Sequence, residues 1–346
     1  MYPVTDLYKS KIKEDGRDFS CNITIEHSNG TLELTDKDIS QGSLIYTESS
    51  QNGDEFTIGS TVASDISLSI LKKPEYEDIQ FMGATLFVTI GLFVQKGVDA
   101  HFLQPSQPSK MKGFEDKREY VPLGRFNIDD VNIQSSTIQL KAMDNLINLD
   151  IPYSLSKLSY PANLYQIYTN ICSVGDISVG TLNFPNTDYV VQNRPDGELT
   201  FRDVLGYVAE LSGTFAKCDR TGRLELKWYE PTDLVIEPEI RYSFTPSDDV
   251  VQIKGIMAST EDTTYLTGAE DYAIDLSENP LLQGDYETVL PIILTNVEGV
   301  IFTPYESEIK GNPAIQSGDM IVQVDKNGKE YNTIVTKMVY KYRGRS

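Results

Sequence analysis

The stretch YVPLGRFNIDDVNIQSSTIQLKAMDNLINLD, residues 120–150, sets the rhythm of the chain. Phe126 and Ile128 alternate with polar neighbours, then Val131 and Ile133, then Ile138, Leu140 and Ala142. Alternation at period two marks strands with one buried face. The phase slips by one residue at Asp129-Asp130, which would turn the apolar face outward unless a bulge or tight bend absorbs it. Gln134 to Thr137 then reads as a turn. The adjacent carboxylates are thus explained by strand geometry, with catalysis as the rival reading.

The same rhythm runs through most of the first 150 residues. FSCNITIEH, GSLIYTESS, DEFTIGSTV and DISLSIL read as successive strands between residues 19 and 71, punctuated by Asn29-Gly30 and Asn52-Gly53. Asn-Gly pairs favour hairpin turns. The apolar run FMGATLFVTIGLFV, residues 81–94, is too short and too interrupted for a membrane helix and reads as one or two buried strands. A polar arm follows from 95 to 119, carrying Lys96, His101, Lys110, Lys112, Lys117 and Arg118. A loop of this length is functional or disordered, and its basic residues make it a candidate for partner contact.

After residue 150 the period changes. Leu164, Ile167, Tyr168 and Ile171 follow helical spacing, with Pro161 expected at the first helical position. LTFRDVLGYVAELSG is a clearer helix, with Thr200 as cap, Asp203 three residues on, and Gly213 as the stop. TFAKCDRTGRLELKWYE reads as a hairpin turning at Asp219 to Gly222. From about 240 strands return, with a second Asn-Gly turn at Asn327-Gly328 and one short helix over 286–296. The expected architecture is mainly β with an α+β insert: 1–150 all-β with an arm loop at 95–119, 151–238 α+β, and 239–346 β-rich with a short helical insert near 275–300. Duplication of a barrel would give that layout.

Charge narrows the function. The chain has 346 residues and a formal net charge of -21. Phosphate-neutralising proteins need clustered Lys and Arg, so a basic nucleic-acid binder is excluded. The region from Asp233 to Glu298 is dense in acids, opposed only by Arg241 and Lys254.

Candidate chemistry is sparse. Cys21, Cys172 and Cys218 are widely spaced with no CxxC, which argues against a zinc site or disulfide framework and for a reducing cytoplasm. The N-terminal MYPVTDLYKSKIKEDG lacks an apolar signal core. No phosphate-binding loop, dinucleotide fingerprint or GxSxG motif occurs. His27 and His101 are the only histidines, too few for a paired-His metal site, and each reads as a surface residue. No catalytic, cofactor or metal residues are assigned.

Five stretches together resemble the phage or prophage tail baseplate hub family, the N-terminal hub region of tail-associated lysins and tail-tip proteins with a myophage-type hub fold. They are FTIGSTVASDISLSI (56–70), GATLFVTIGLF (83–93), the 120–150 stretch, LTFRDVLGYVAELSGTFAKCDRTGRLELKW (199–228) and GNPAIQSGDMIVQVDKNGKEYNTIVTKMVYKYRG (311–344). They run in the family's order from about residue 50 to the end. The resemblance implies two antiparallel, tube-like β-barrel domains per chain plus a smaller helix-containing domain. It implies a homotrimeric, pseudo-sixfold ring that adapts a sixfold tail tube to a threefold spike or fibre, with DNA only as passing cargo and no membrane insertion. Implied partners are tube or distal ring proteins and a spike or fibre; the implied location is the virion tail tip, after synthesis in the host cytoplasm. The first fifty residues and the arm match the family least. Relatives that degrade cell wall carry further domains, and the chain stops where the second barrel would end, so no such activity is expected of it. Two rival readings are a carbohydrate-binding tail-tip module, which would expose Tyr residues and Trp228, and a cell-wall hydrolase, which needs a carboxylate cleft.

Overall fold

The computed structural model describes residues 1–53, 55–95 and 117–343. A short helix, α1 (Asp6–Lys11), opens the chain, and seven strands follow: β1 (Phe19–His27), β2 (Gly30–Thr35), β3 (Leu44–Ser49), β4 (Asp65–Leu71), β5 (Thr85–Gln95), β6 (Lys117–Ile133) and β7 (Thr137–Met143). The period-two pattern places their side chains. Leu44 and Tyr46 of β3, Ile66, Leu68 and Ile70 of β4, Leu86, Val88 and Ile90 of β5, and Ile138, Leu140 and Ala142 of β7 all face one core. The apolar run at 81–94 supplies β5, a single strand.

The expected strand at DEFTIGSTV does not form in its described part, residues 55–62. Gly59 adopts a left-handed φ of 83° and breaks the extended run. The segment crosses to the helical unit instead: Gly59 N–H donates to Thr214 O at 2.7 Å, and Ser60 O accepts from Ala216 N–H at 2.8 Å. Ile58 is buried in that unit's core.

The middle of the chain holds β8 (Ala162–Asn163), α2 (Leu164–Val174), β9 (Val190–Val191), α3 (Phe201–Leu211), and the hairpin β10 (Phe215–Cys218) with β11 (Leu224–Lys227). Helix α2 starts later than Pro161. Its cap is Asn163, whose side chain accepts from Gln166 N–H while the Gln166 side chain accepts from Asn163 N–H. That reciprocal pair satisfies two helix-end donors, which Pro161 could not do. Helix α3 begins at its expected capping box, Thr200 with Asp203.

Then follow β12 (Glu230–Ile236), β13 (Arg241–Pro246), β14 (Val251–Gln252), β15 (Gly255–Ser259), β16 (Thr264–Gly268), β17 (Ala273–Asp275), α4 (Tyr286–Val297), β18 (Ile301–Phe302), β19 (Tyr305–Ile309), β20 (Asp319–Val324), β21 (Glu330–Ile334) and β22 (Lys337–Tyr342). Val289, Leu290, Ile293 and Val297 of α4 join Val204, Leu205, Val208 and Leu211 of α3 in one core, which also takes Ile256 and Ala258 of β15. The two helices come close where α3 ends: Gly213, at φ 63°, has no side chain to meet Val297 and the Ile293 carbonyl.

Strand pairing then reverses the chain order. The last strand, β22, lies antiparallel to β3, giving an eight-stranded sheet in the order β2-β1-β5-β6-β7-β4-β3-β22. The end strands β2 and β22 are not bonded to each other, so this sheet is not a closed barrel. It curls until side chains bridge the seam: Tyr342 Oη donates to Asp36 Oδ1 at 2.5 Å, and the same carboxylate oxygen accepts from Cys21 N–H at 2.7 Å. The rest of the segment after 239 is divided among two- and three-stranded sheets, with no closed barrel there either among the described residues. The mainly β architecture with few helices is as the sequence pattern requires; barrel closure is not found.

Candidate functional site

The Asp129-Asp130 pair sits where pairing between β6 and β7 shifts register. Ile128 lies opposite Ala142, and Asp130 opposite Lys141, leaving Asp129 as the extra residue. Beyond the shift Val131 faces Leu140, so the apolar phase is restored. Both carboxylates are exposed, and Asp130 pairs with Lys141 at 3.1 Å. The next polar pair, Asp144-Asn145, ties parts of the fold together. Asp144 accepts from Ser64 N–H at 2.8 Å and Leu146 N–H at 2.9 Å. Asn145 accepts from Asn127 at 3.0 Å and donates to Gly222 O in the β10–β11 turn at 2.8 Å.

Of the arm residues, Lys96, His101, Lys110 and Lys112 lie outside the described residues. Lys117 begins β6 and is exposed. Arg118 anchors the base of that strand, with Nη2 on Asp18 Oδ2 at 2.5 Å and its guanidinium over Phe93.

The ordinary nucleophiles and ligands are engaged structurally. All three cysteines are buried and free; burial pushes the Cys21 and Cys172 thiols up to about 12, so neither is a ready thiolate. Among the described residues no three His, Cys, Asp or Glu side chains group as a metal site. His27 accepts from Asn29 N–H in the first turn. Trp228 is buried against Phe56, Phe215 and Tyr229, so it offers no exposed sugar platform. Burial raises the Asp144 carboxyl to about 6 and the Glu210 carboxyl to about 7, each partly offset by its hydrogen bonds, and also lifts those of Asp65 and Glu225. Asp144 acts as a loop tie, and Glu210 packs against Gly59 and accepts from Asn279 Nδ2 at 2.8 Å.

A buried ionic joint lies where β3, β10 and the loop before β20 converge. Glu48, Lys217 and Arg220 are each at least nine-tenths buried. Lys217 Nζ donates to Glu48 Oε1, Ser317 Oγ donates to the same oxygen at 3.0 Å, and Tyr46 Oη donates to Oε2 at 3.0 Å. Arg220 Nη2 stands 4.0 Å from Glu48 Oε2. Its guanidinium donates to three carbonyls from two segments: Pro122 at 2.9 Å, Pro313 at 2.6 Å and Ile315 at 2.8 Å. Burial alone would raise the Glu48 carboxyl, but Lys217, Arg220 and the hydrogen bonds outweigh it and hold it below the usual range. Sequence reading missed this cluster. Its signal is present, since Glu48 occupies the inward phase after Leu44 and Tyr46.

Two open clefts flank the sheet. One, of about 1690 Å³, lies along β3, β4 and β7 and includes Asp129, Lys141 and Arg202. The other, of about 1270 Å³, follows β22 and faces β19. Both exceed the roughly 300–1,000 Å³ of small-molecule pockets and have the dimensions of surface troughs.

No family model and no curated protein matches the chain. Its fold does match solved structures over nearly its whole length. The 43 kDa tail protein of prophage MuSo2 from Shewanella oneidensis is 12% identical, with 93% of this chain and 94% of that one covered at a TM-score of 0.51. A tail protein from Neisseria meningitidis MC58 is 9% identical, with coverage of 93% and 92% and a TM-score of 0.55. Prophage tail protein gp18 from Listeria monocytogenes EGD-e is 10% identical, with coverage of 94% and 95% and a TM-score of 0.53. At these identities the shared property is the fold, and that fold is one used by phage and prophage tail proteins.

Proposed function

We propose that this chain is a structural component of a phage or prophage tail tip. In this reading it is one subunit of a homotrimeric, pseudo-sixfold hub ring. The ring adapts a sixfold tail tube to a threefold spike or fibre and leaves a channel for DNA. One observation carries the reading: fold similarity to three tail proteins, two of them from prophages, that covers nearly all of each chain. Full coverage matters because function does not follow from a shared module alone. The curled eight-stranded sheet would serve as one tube-like unit. The smaller sheets of 239–346, which lend β22 to the first, would build the other. A net charge of -21 favours such a role, since an acidic wall repels DNA and lets it pass. Partners would be the tube or a distal ring above and a spike or fibre below, with the arm at 95–119 as one contact.

The test is immunogold electron microscopy of tailed particles from the lysogen that encodes the chain, paired with native mass spectrometry of the purified protein. Label at the distal tail end and a trimer are expected. Unlabelled tails together with a monomer would overturn the reading.

A further inference from the structure

The eight-stranded sheet ends in an unfinished edge at β22. Among the described residues its main chain bonds to β3 and to no other strand. The open side borders the trough of about 1270 Å³ described above, whose far wall is β19. Unpaired N–H and C=O groups along an edge are a template for an added strand. An extended segment laid there gains main-chain bonds from the edge and specificity from alternate side chains.

The side chains say which segment fits. Lys337, Lys341 and Arg343 share the outward face of this strand, with the half-exposed Val339 between them. Among the described residues none of the three cations has a carboxylate within ion-pairing distance. Arg17 adds a fourth positive charge to the trough, against two carboxylates, Asp18 and Glu308. Asp18 is already paired with Arg118. A net positive trough stands out on a protein of charge -21. Tyr242, 70% exposed, lines the trough and gives an apolar contact beside Val339. Lysines on an edge strand discourage indiscriminate pairing, and that is a form of selection: a basic strand is refused and an acidic one is admitted.

We propose that the free edge of β22 is a docking site for an extended acidic segment of another protein, added as a ninth strand to the sheet. Its acids meet Lys337, Lys341 and Arg343, and its apolar positions meet Val339 and Tyr242. The proposal stands on the edge and its charges, and holds whether or not the chain builds a tail.

The probe is a short synthetic peptide alternating glutamate with valine, with a lysine-valine peptide as control. Fluorescence anisotropy reads affinity and hydrogen–deuterium exchange reads the site. The acidic peptide should bind saturably and slow exchange at residues 337–343, and the basic peptide should not bind. Lys341→Glu with Arg343→Glu should weaken binding at least tenfold and leave the thermal melt unchanged, because both side chains are exposed. No binding, binding unaffected by the charge reversal, or protection elsewhere would overturn the proposal. So would self-association of the unliganded protein that protects the same residues, since the occupant would then be a second copy.

Discussion

Glu48 and Glu210 are both buried glutamates, and the fold treats them oppositely. Glu48 meets an ammonium, a nearby guanidinium and two hydroxyl donors, and its carboxyl is held below the usual range. Glu210 meets one amide, and burial lifts its carboxyl to about 7. Burial is common to the two; the partner's charge decides the sign. The first site is locked as an ion pair between the sheet and the helical unit. The second is a carboxyl that changes state near neutral pH, on the helix next to the Gly59 crossing.

The sharpest way to break the contrast is Lys217→Met, which leaves buried Glu48 with the Arg220 guanidinium, 4.0 Å away, as its remaining cation. Loss of about 3–5 kcal/mol in urea unfolding is expected, because removal of one partner strands the other. Adding Glu48→Gln should recover much of it; a double variant as unstable as the single one would show that Lys217 acts by packing alone. Next in size is pH. Glu210 binds its proton more tightly when folded than when unfolded, so its favourable contribution is complete below about 4.5 and is lost as pH rises through about 7. Glu210→Gln should therefore stabilise the protein by roughly 2–3 kcal/mol at pH 8 and leave it nearly unchanged at pH 4. Equal effects at both pH values would refute the raised carboxyl. Glu48 runs the other way: its contribution is present above the ordinary carboxyl range and is lost as pH falls through its lowered value. A smaller effect tests the support of Glu210. Thr200→Ala removes the cap of α3, which carries that glutamate, and should cost about 1 kcal/mol in the same unfolding measurement. The smallest belongs to an exposed carboxylate. Asp130→Asn should change stability by less than about 1 kcal/mol, since its pair with Lys141 is solvated.

What could be read from the sequence follows the same division. Strands such as β4 and β7 were legible because each buries one face against a single core, which forces alternation. Helix α3 was legible because its cap and stripe are local. The start of α2 was misplaced because Asn163 and Gln166 together outweigh a nearby proline. DEFTIGSTV alternates like a strand, yet its partners are Thr214 and Ala216, far along the chain. Asp129-Asp130 drew attention as a doublet, while the ionic joint passed unnoticed because its members lie at 48, 217 and 220. Only the inward phase of Glu48 betrays it, and a single charged residue in a strand pattern says nothing about where its partner lies. Barrel closure was beyond reach for a related reason, because it depends on edges, and edges are defined by the whole sheet.

The pairing of β3 with β22 has a consequence for how the protein is made. Ser49 reaches Thr336 across 287 positions of chain. At bacterial elongation rates of about 5–20 residues per second, a nascent chain holds the β3 edge bare for roughly 15–60 s. During that interval the sheet's core lacks Tyr340 and Tyr342, which are still untranslated. The eight-stranded sheet is therefore completed only once β22 has emerged and paired with β3.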